Sequence, residues 1–95
     1  AIAVPFRIME VSLASMEVAE AMAEQGLSAS ASDAGVAALC ARAAVRGAYL
    51  NVRINASDLE NESARQGFLE RGIALEQRAK AAEAQVLAKV EAHFS

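Results

Sequence analysis

Asp33 is the first residue in this 95-residue chain whose type and place could do chemistry. It opens the most apolar stretch of the sequence, where partial burial would favour its protonated form. A carboxylic acid held that way can donate a proton near neutral pH. The competing reading is local: Ser30-Ala-Ser-Asp33 has the spacing of a capping box, and acids favour helix N-termini. Asn51 and Asn55 come next. Four residues apart, they share one helix face, and each amide offers a donor and an acceptor to a heteroaromatic ring. The alternative is a C-terminal cap at Asn55 and one structural hydrogen bond at Asn51. Arg42, Arg46 and Arg53 share a face with Tyr49 and suit carboxylates or phosphates. They would otherwise pair with acidic neighbouring helices or face water.

The remaining polar groups carry less. Cys40 has no base near it in sequence and reads as an inert core thiol. His93 reads as a complement to a helix C-terminus. One Cys and one His exclude a disulfide framework and a Cys- or His-rich metal site. No metal is expected.

Three helices must position these groups. The chain is 55% hydrophobic, but 24 of its residues are Ala, and it holds a single Pro and no Trp. Strong helix formers run throughout, without alternating strand patterns. The first helix is expected over about 5–25, with Pro5 in its first turn and a cap at Gly26 and Leu27. Its stripe is Ile8, Val11, Val18 and Met22, with Met9, Leu13 and Met16 beside it. The second is expected over about 32–55 and central, with Val36, Cys40, Ala43, Gly47, Leu50 and Ile54 in one stripe. Ala37, Ala41, Ala44 and Ala48 form a second, small-residue stripe. The third is expected over about 58–93, opened by a Ser57–Glu60 capping box. Phe68, Leu75, Ala82 and Gly72, Ala79, Val86 repeat every seven residues in it. Gly67 and Gly72 lie inside that helix, where close packing or a local break would justify them.

Alanine buries little area, and a chain this short covers a core thinly. The fold class is therefore all-α, with three long helices that belong to a larger multi-helix bundle. The start at Ala-Ile-Ala without Met is read as a fragment's. The net charge is −3, which argues against nucleic-acid binding driven by bulk charge. No apolar run approaches the roughly 20 residues of a bilayer span, and no signal peptide is visible. A cytoplasmic protein that binds neither membrane nor nucleic acid is expected.

Three stretches add a resemblance. Val4-Pro5-Phe6-Arg7-Ile8-Met9, Ser32-Asp33-Ala34-Gly35-Val36-Ala37-Ala38-Leu39 and Gly47-Ala48-Tyr49-Leu50-Asn51-Val52-Arg53-Ile54-Asn55 occur in this order. Together they resemble the formiminotetrahydrofolate cyclodeaminase / methenyltetrahydrofolate cyclohydrolase family. The resemblance implies a helical domain about twice as long, of which residues 1–95 are the C-terminal half. It also implies a homodimer that binds a tetrahydrofolate derivative as substrate in a cleft near the subunit interface. The implied reaction closes 5-formiminotetrahydrofolate to 5,10-methenyltetrahydrofolate and releases ammonia. The alternatives are the cyclohydrolase reaction on the same fold, or a non-catalytic helical oligomerisation module. On the resemblance, Asp33 shuttles the proton and Ser32 supports it. Asn51 and Asn55 match the family motif and would bind folate. Arg53 falls at a variable position of that motif. It and Arg42 are assigned to the substrate's glutamate tail. The missing N-terminal half would carry a Pro-Gly-Gly-rich segment and further polar site residues.

Overall fold

The computed structural model describes residues 2–24 and 28–94. Its elements are α1 (Ala3–Glu24), α2 (Ser28–Ala56) and α3 (Glu62–Ala92), in an up-down-up bundle. The expected cap at Gly26 and Leu27 lies outside the described residues. Pro5 sits in the first turn of α1, where its missing N–H has no intrahelical acceptor to lose.

The bundle is a rod of 52 × 17 × 15 Å, and its core tapers. At the wide end Ile2, Phe6, Met9, Leu13 and Met16 of the first segment meet Val45, Tyr49 and Val52 of α2. At the narrow end Ala23, Ala34, Ala38, Val86 and Val90 suffice, because alanine lets helix axes approach. Gly35 adds to that closeness: a Cβ there would stand 3.5 Å from the Val90 methyl groups.

The face that each helix buries corrects two expectations. On α1 the buried stripe is Met9, Leu13 and Met16, continued by Ala19 and Ala23. Ile8, Val11, Val18 and Met22 are exposed. On α2 the buried stripe is Ala31, Ala34, Ala38, Val45, Ala48, Tyr49, Val52 and Ala56, whereas Val36, Leu50 and Ile54 are exposed. Cys40 is exposed as well, so it is not a core thiol. Both helices carry two apolar stripes, and the bundle covers one of each.

The α3 seam is as expected. Gly72, Ala79, Val86 and Val90 are buried, with Phe68, Leu75 and Ala82 packed against the main cluster. The helix starts later than expected, because Asn61 is its N-cap. The Asn61 side chain accepts from the Ala64 N–H, a strong capping arrangement. Ser57 instead serves the end of α2, donating to the Ile54 carbonyl. Glu62 in the first turn and Lys89 in the last both favour the helix dipole. At the far end Lys89 pairs with Glu20 at 2.8 Å. His93 Nε2 lies 3.2 Å from the Ala23 carbonyl. A carbonyl only accepts, so this contact requires the proton on Nε2. His93 thus ties the end of α3 to the end of α1.

Gly72 is the position where glycine is required by packing. A Cβ added there would stand 2.5 Å from Tyr49 Cε1, the edge of a buried ring. The Tyr49 hydroxyl meanwhile reaches the Leu69 carbonyl at 3.5 Å. At Gly67 an added Cβ meets nothing within 4 Å, so close packing does not account for that residue. Gly72→Ala therefore forces the ring to move, at about 1–3 kcal/mol, which outweighs its gain in helix propensity. Gly67→Ala keeps only the gain, about 0.5–1 kcal/mol. Thermal melts followed by circular dichroism should rank Gly67→Ala above wild type and Gly72→Ala below. The reverse order would mean that the Tyr49–Gly72 contact does not hold the helices.

Candidate functional site

All six residues singled out for the site lie on α2, and α2 fixes their relation. Helical periodicity puts Asp33 and Asn51 on the same face, because 18 residues make five whole turns. The same arithmetic separates them by about 27 Å along the axis. The chain thus aligns these groups without bringing them together. Ser32 and Asp33 stand at one end, and Asn51, Arg53 and Asn55 at the other.

Ser32 and Asp33 are both exposed. Helix α2 already starts at Ser28 and has no acid in its first turn. Asp33 is therefore neither partly buried nor a first-turn residue. Its carboxylate has no hydrogen bond or ion pair among the described residues. Asn51 is exposed too. Asn55 is half-buried, and its Nδ2 donates to the Asn51 carbonyl at 2.9 Å. That bond returns to a carbonyl inside the helix, whereas the end carbonyls of Arg53, Asn55 and Ala56 accept from the Ser57, Asp58 and Leu59 N–H groups, so Asn55 makes a structural bond and not a cap. Arg53 is exposed and borders an open hollow of about 530 Å³ with Leu50 and Ile54. Here a cation and an apolar wall stand one turn from Asn51.

Arg42 behaves differently. Its Nε lies 4.0 Å from Glu83 Oε1, and Arg46 Nη1 lies 2.8 Å from Glu76 Oε1. Both therefore face α3 and are engaged with its acids, the ion-pair alternative. A hollow of about 410 Å³ lies between α2 and α3 beside them, bordered also by Lys80 and Gln77. Arg42 and Arg53 thus open onto different hollows.

The apolar stripe that α2 leaves bare runs beside the polar set. Val36, Leu50 and Ile54 are 58%, 44% and 66% exposed, and Val11 and Val18 of α1 are 50% and 63% exposed. Gly47 lies in the α2 stripe, and a Cβ there would meet nothing within 4 Å. Inside this bundle nothing asks for glycine at that position. On α1 sequence reading found both stripes; on α2 it missed the buried one, because of its small-residue stripe Ala37, Ala41, Ala44 and Ala48 only Ala48 is buried. Among the described residues no helix is long and apolar enough to cross a membrane. No group of three His, Cys, Asp or Glu among the described residues could hold a metal ion.

Fold and site together define a helical-bundle domain with a bare apolar face flanked by a carboxylate and amides. A family model described as formiminotransferase-cyclodeaminase matches residues 1–72, which include both ends of the polar set. The chain belongs to that family, which supports a folate-related cyclodeaminase domain. No curated protein and no solved structure matches it.

Cys40 offers a direct probe of the bare face. In dilute protein its thiol should react with an aromatic disulfide reagent within a few-fold of the unfolded rate. Raising the protein concentration should slow that reaction if copies cover the face. Strong protection at high dilution would contradict the exposure described here.

Proposed function

We propose that this chain is the C-terminal half of a cyclodeaminase domain. The domain closes 5-formiminotetrahydrofolate to 5,10-methenyltetrahydrofolate with release of ammonia. The observation that carries this reading is the family match over residues 1–72, which contains Asp33, Asn51 and Asn55. The exposure of Asp33 and Asn51 beside an uncovered apolar face supports it.

The chemistry brings two protons to the departing nitrogen, one from N10 and one from solvent. N10 attacks the formimino carbon on N5, and the new C–N10 bond forms as N10 gives up its proton. The former imine nitrogen takes that proton and one more, and leaves as ammonia. The product is the cationic methenyl bridge between N5 and N10. A carboxylate can carry the first proton and stabilise the positive charge that develops. Asp33 is the residue to which we assign that work, with Ser32 supporting it. Asn51, Asn55 and Arg53 supply donors and acceptors for the substrate, and the Leu50–Ile54 hollow supplies an apolar wall. Arg42 is assigned to the glutamate tail, for which its pair with Glu83 would have to open.

The 27 Å between the two ends, about five turns of helix, has a consequence for partners. Neither end is a site by itself. The preceding half of the domain and a second subunit would cover the bare stripes of α1 and α2 and complete each end. The 95 residues alone are then a poor catalyst.

The test uses the parent protein with its preceding half. Asp33→Asn should lower kcat by about 100-fold or more while helicity and the affinity for a stable formyl-folate analogue change little. Near-wild-type turnover would remove Asp33 from the mechanism. Absence of folate binding by the parent would overturn the reading as a whole and favour a helical oligomerisation module.

A further inference from the structure

On the side of the bundle where α1 meets α3, a second polar constellation lies apart from α2. Arg71 of α3 is fixed in place. Its guanidinium carbon stands 5.1 Å from the Phe6 ring centroid and 4.8 Å from that of Phe68. The two rings meet edge to face, with centroids 5.5 Å apart and planes at 76°. Its Nε donates to the Gly67 carbonyl at 3.3 Å. Cation–π contact with two neighbouring rings and a backbone bond from Nε hold the guanidinium. Its outer edge, with the two η nitrogens, has no acceptor among the described residues. That edge is the one that grips carboxylates in bidentate fashion.

The surroundings continue the pattern. Arg71 borders a hollow of about 240 Å³ with Phe6, Ala74, Leu75, Arg78 and Glu10. Arg78 lies two turns along the same face of α3 and has no hydrogen bond or ion pair among the described residues. Glu10 is turned toward Arg7, at 3.7 Å. The floor is therefore apolar, the two guanidinium groups carry positive charge without an acid of their own, and one carboxylate stands at the rim. Elsewhere in the bundle Arg42 and Arg46 each face a glutamate. Arg71 and Arg78 stand together without an acid partner among the described residues, so this hollow is open to a counter-charge from outside the chain.

We propose that this α1–α3 hollow binds a small aromatic carboxylate. The acid group would lie on the outer edge of Arg71 and within reach of Arg78. The ring would lie on Phe6, Ala74 and Leu75. A space of this size admits one or two fused rings. Leu75 and Arg78 fall beyond the family-matched residues 1–72, and no residue of the hollow belongs to the set on α2. The inference therefore stands independently of the cyclodeaminase reading.

The test is an NMR titration of the full 95-residue chain with 2-naphthoate at constant ionic strength. Saturable shifts are expected at the amides of Phe6, Arg71, Leu75 and Arg78, with none from acetate and none from the neutral naphthalenemethanol. Arg71→Met keeps the stem and removes the charge, and should weaken binding at least fivefold. Arg78→Gln should weaken it less, and Glu10→Gln should tighten it by removing a like charge. Arg78→Gln and Glu10→Gln lie at exposed positions, so they report even where Arg71→Met loses the fold. Shifts centred on Ile8, Val11, Leu50 and Ile54 would mean that the ring simply seeks bare apolar surface, and would overturn the proposal. Equal affinity across all three variants, or no saturation, would overturn it as well.

Discussion

A helix packed in a three-helix bundle can bury one stripe, and α1 and α2 each carry two. The rest of the structure follows from how that surplus is divided. The interior takes Met9, Leu13 and Met16 from α1, and alanines with Val45, Tyr49 and Val52 from α2. These are the side chains that suit a tapered gap, because methionine fills irregular space and alanine admits a close neighbour. Val11, Val18, Met22, Val36, Leu50 and Ile54 are left outside. Helix α3, with a single apolar seam, settles into the groove and supplies the acids that meet Arg42 and Arg46.

This division also explains what could be read from sequence and what could not. The three helices were legible, because composition and the scarcity of breakers allow little else. The α3 seam was legible down to Gly72, Ala79 and Val86, because its other faces are charged. On α1 periodicity found two stripes and does not rank them, and on α2 it missed the buried one, since Ala31, Ala34, Ala38, Val45 and Val52 belong to neither stripe it drew. Ranking needs the shape of the neighbour, which for α2 is set by the Tyr49 ring lying against Gly72. The start of α3 was misplaced for a related reason. The segment 55–61 offers several residues able to cap, and Ser57 is taken up by the end of α2, which leaves Asn61.

For the candidate site, residue types were legible and distances were not. Asp33, Asn51 and Asn55 look like one motif set, and helical phase does align them. Only the length of α2 shows that alignment is not proximity. The arginines separate by environment: Arg42 meets an acid across the helix interface, while Arg53 borders an apolar hollow. The double clamp on Arg71 depends on Phe6 and Phe68 converging from two helices. It had no local signal beyond the presence of the residues.

The five whole turns between Asp33 and Asn51 limit how α2 can change length. One residue inserted between them would swing the amides by about 100° and carry them off the carboxylate's face. Insertion of seven residues nearly restores the phase and adds about 10 Å, moving the two ends apart on an unchanged face. Length changes in this helix are therefore quantised: most lengths break the alignment, and the few that keep it alter the reach from one end to the other.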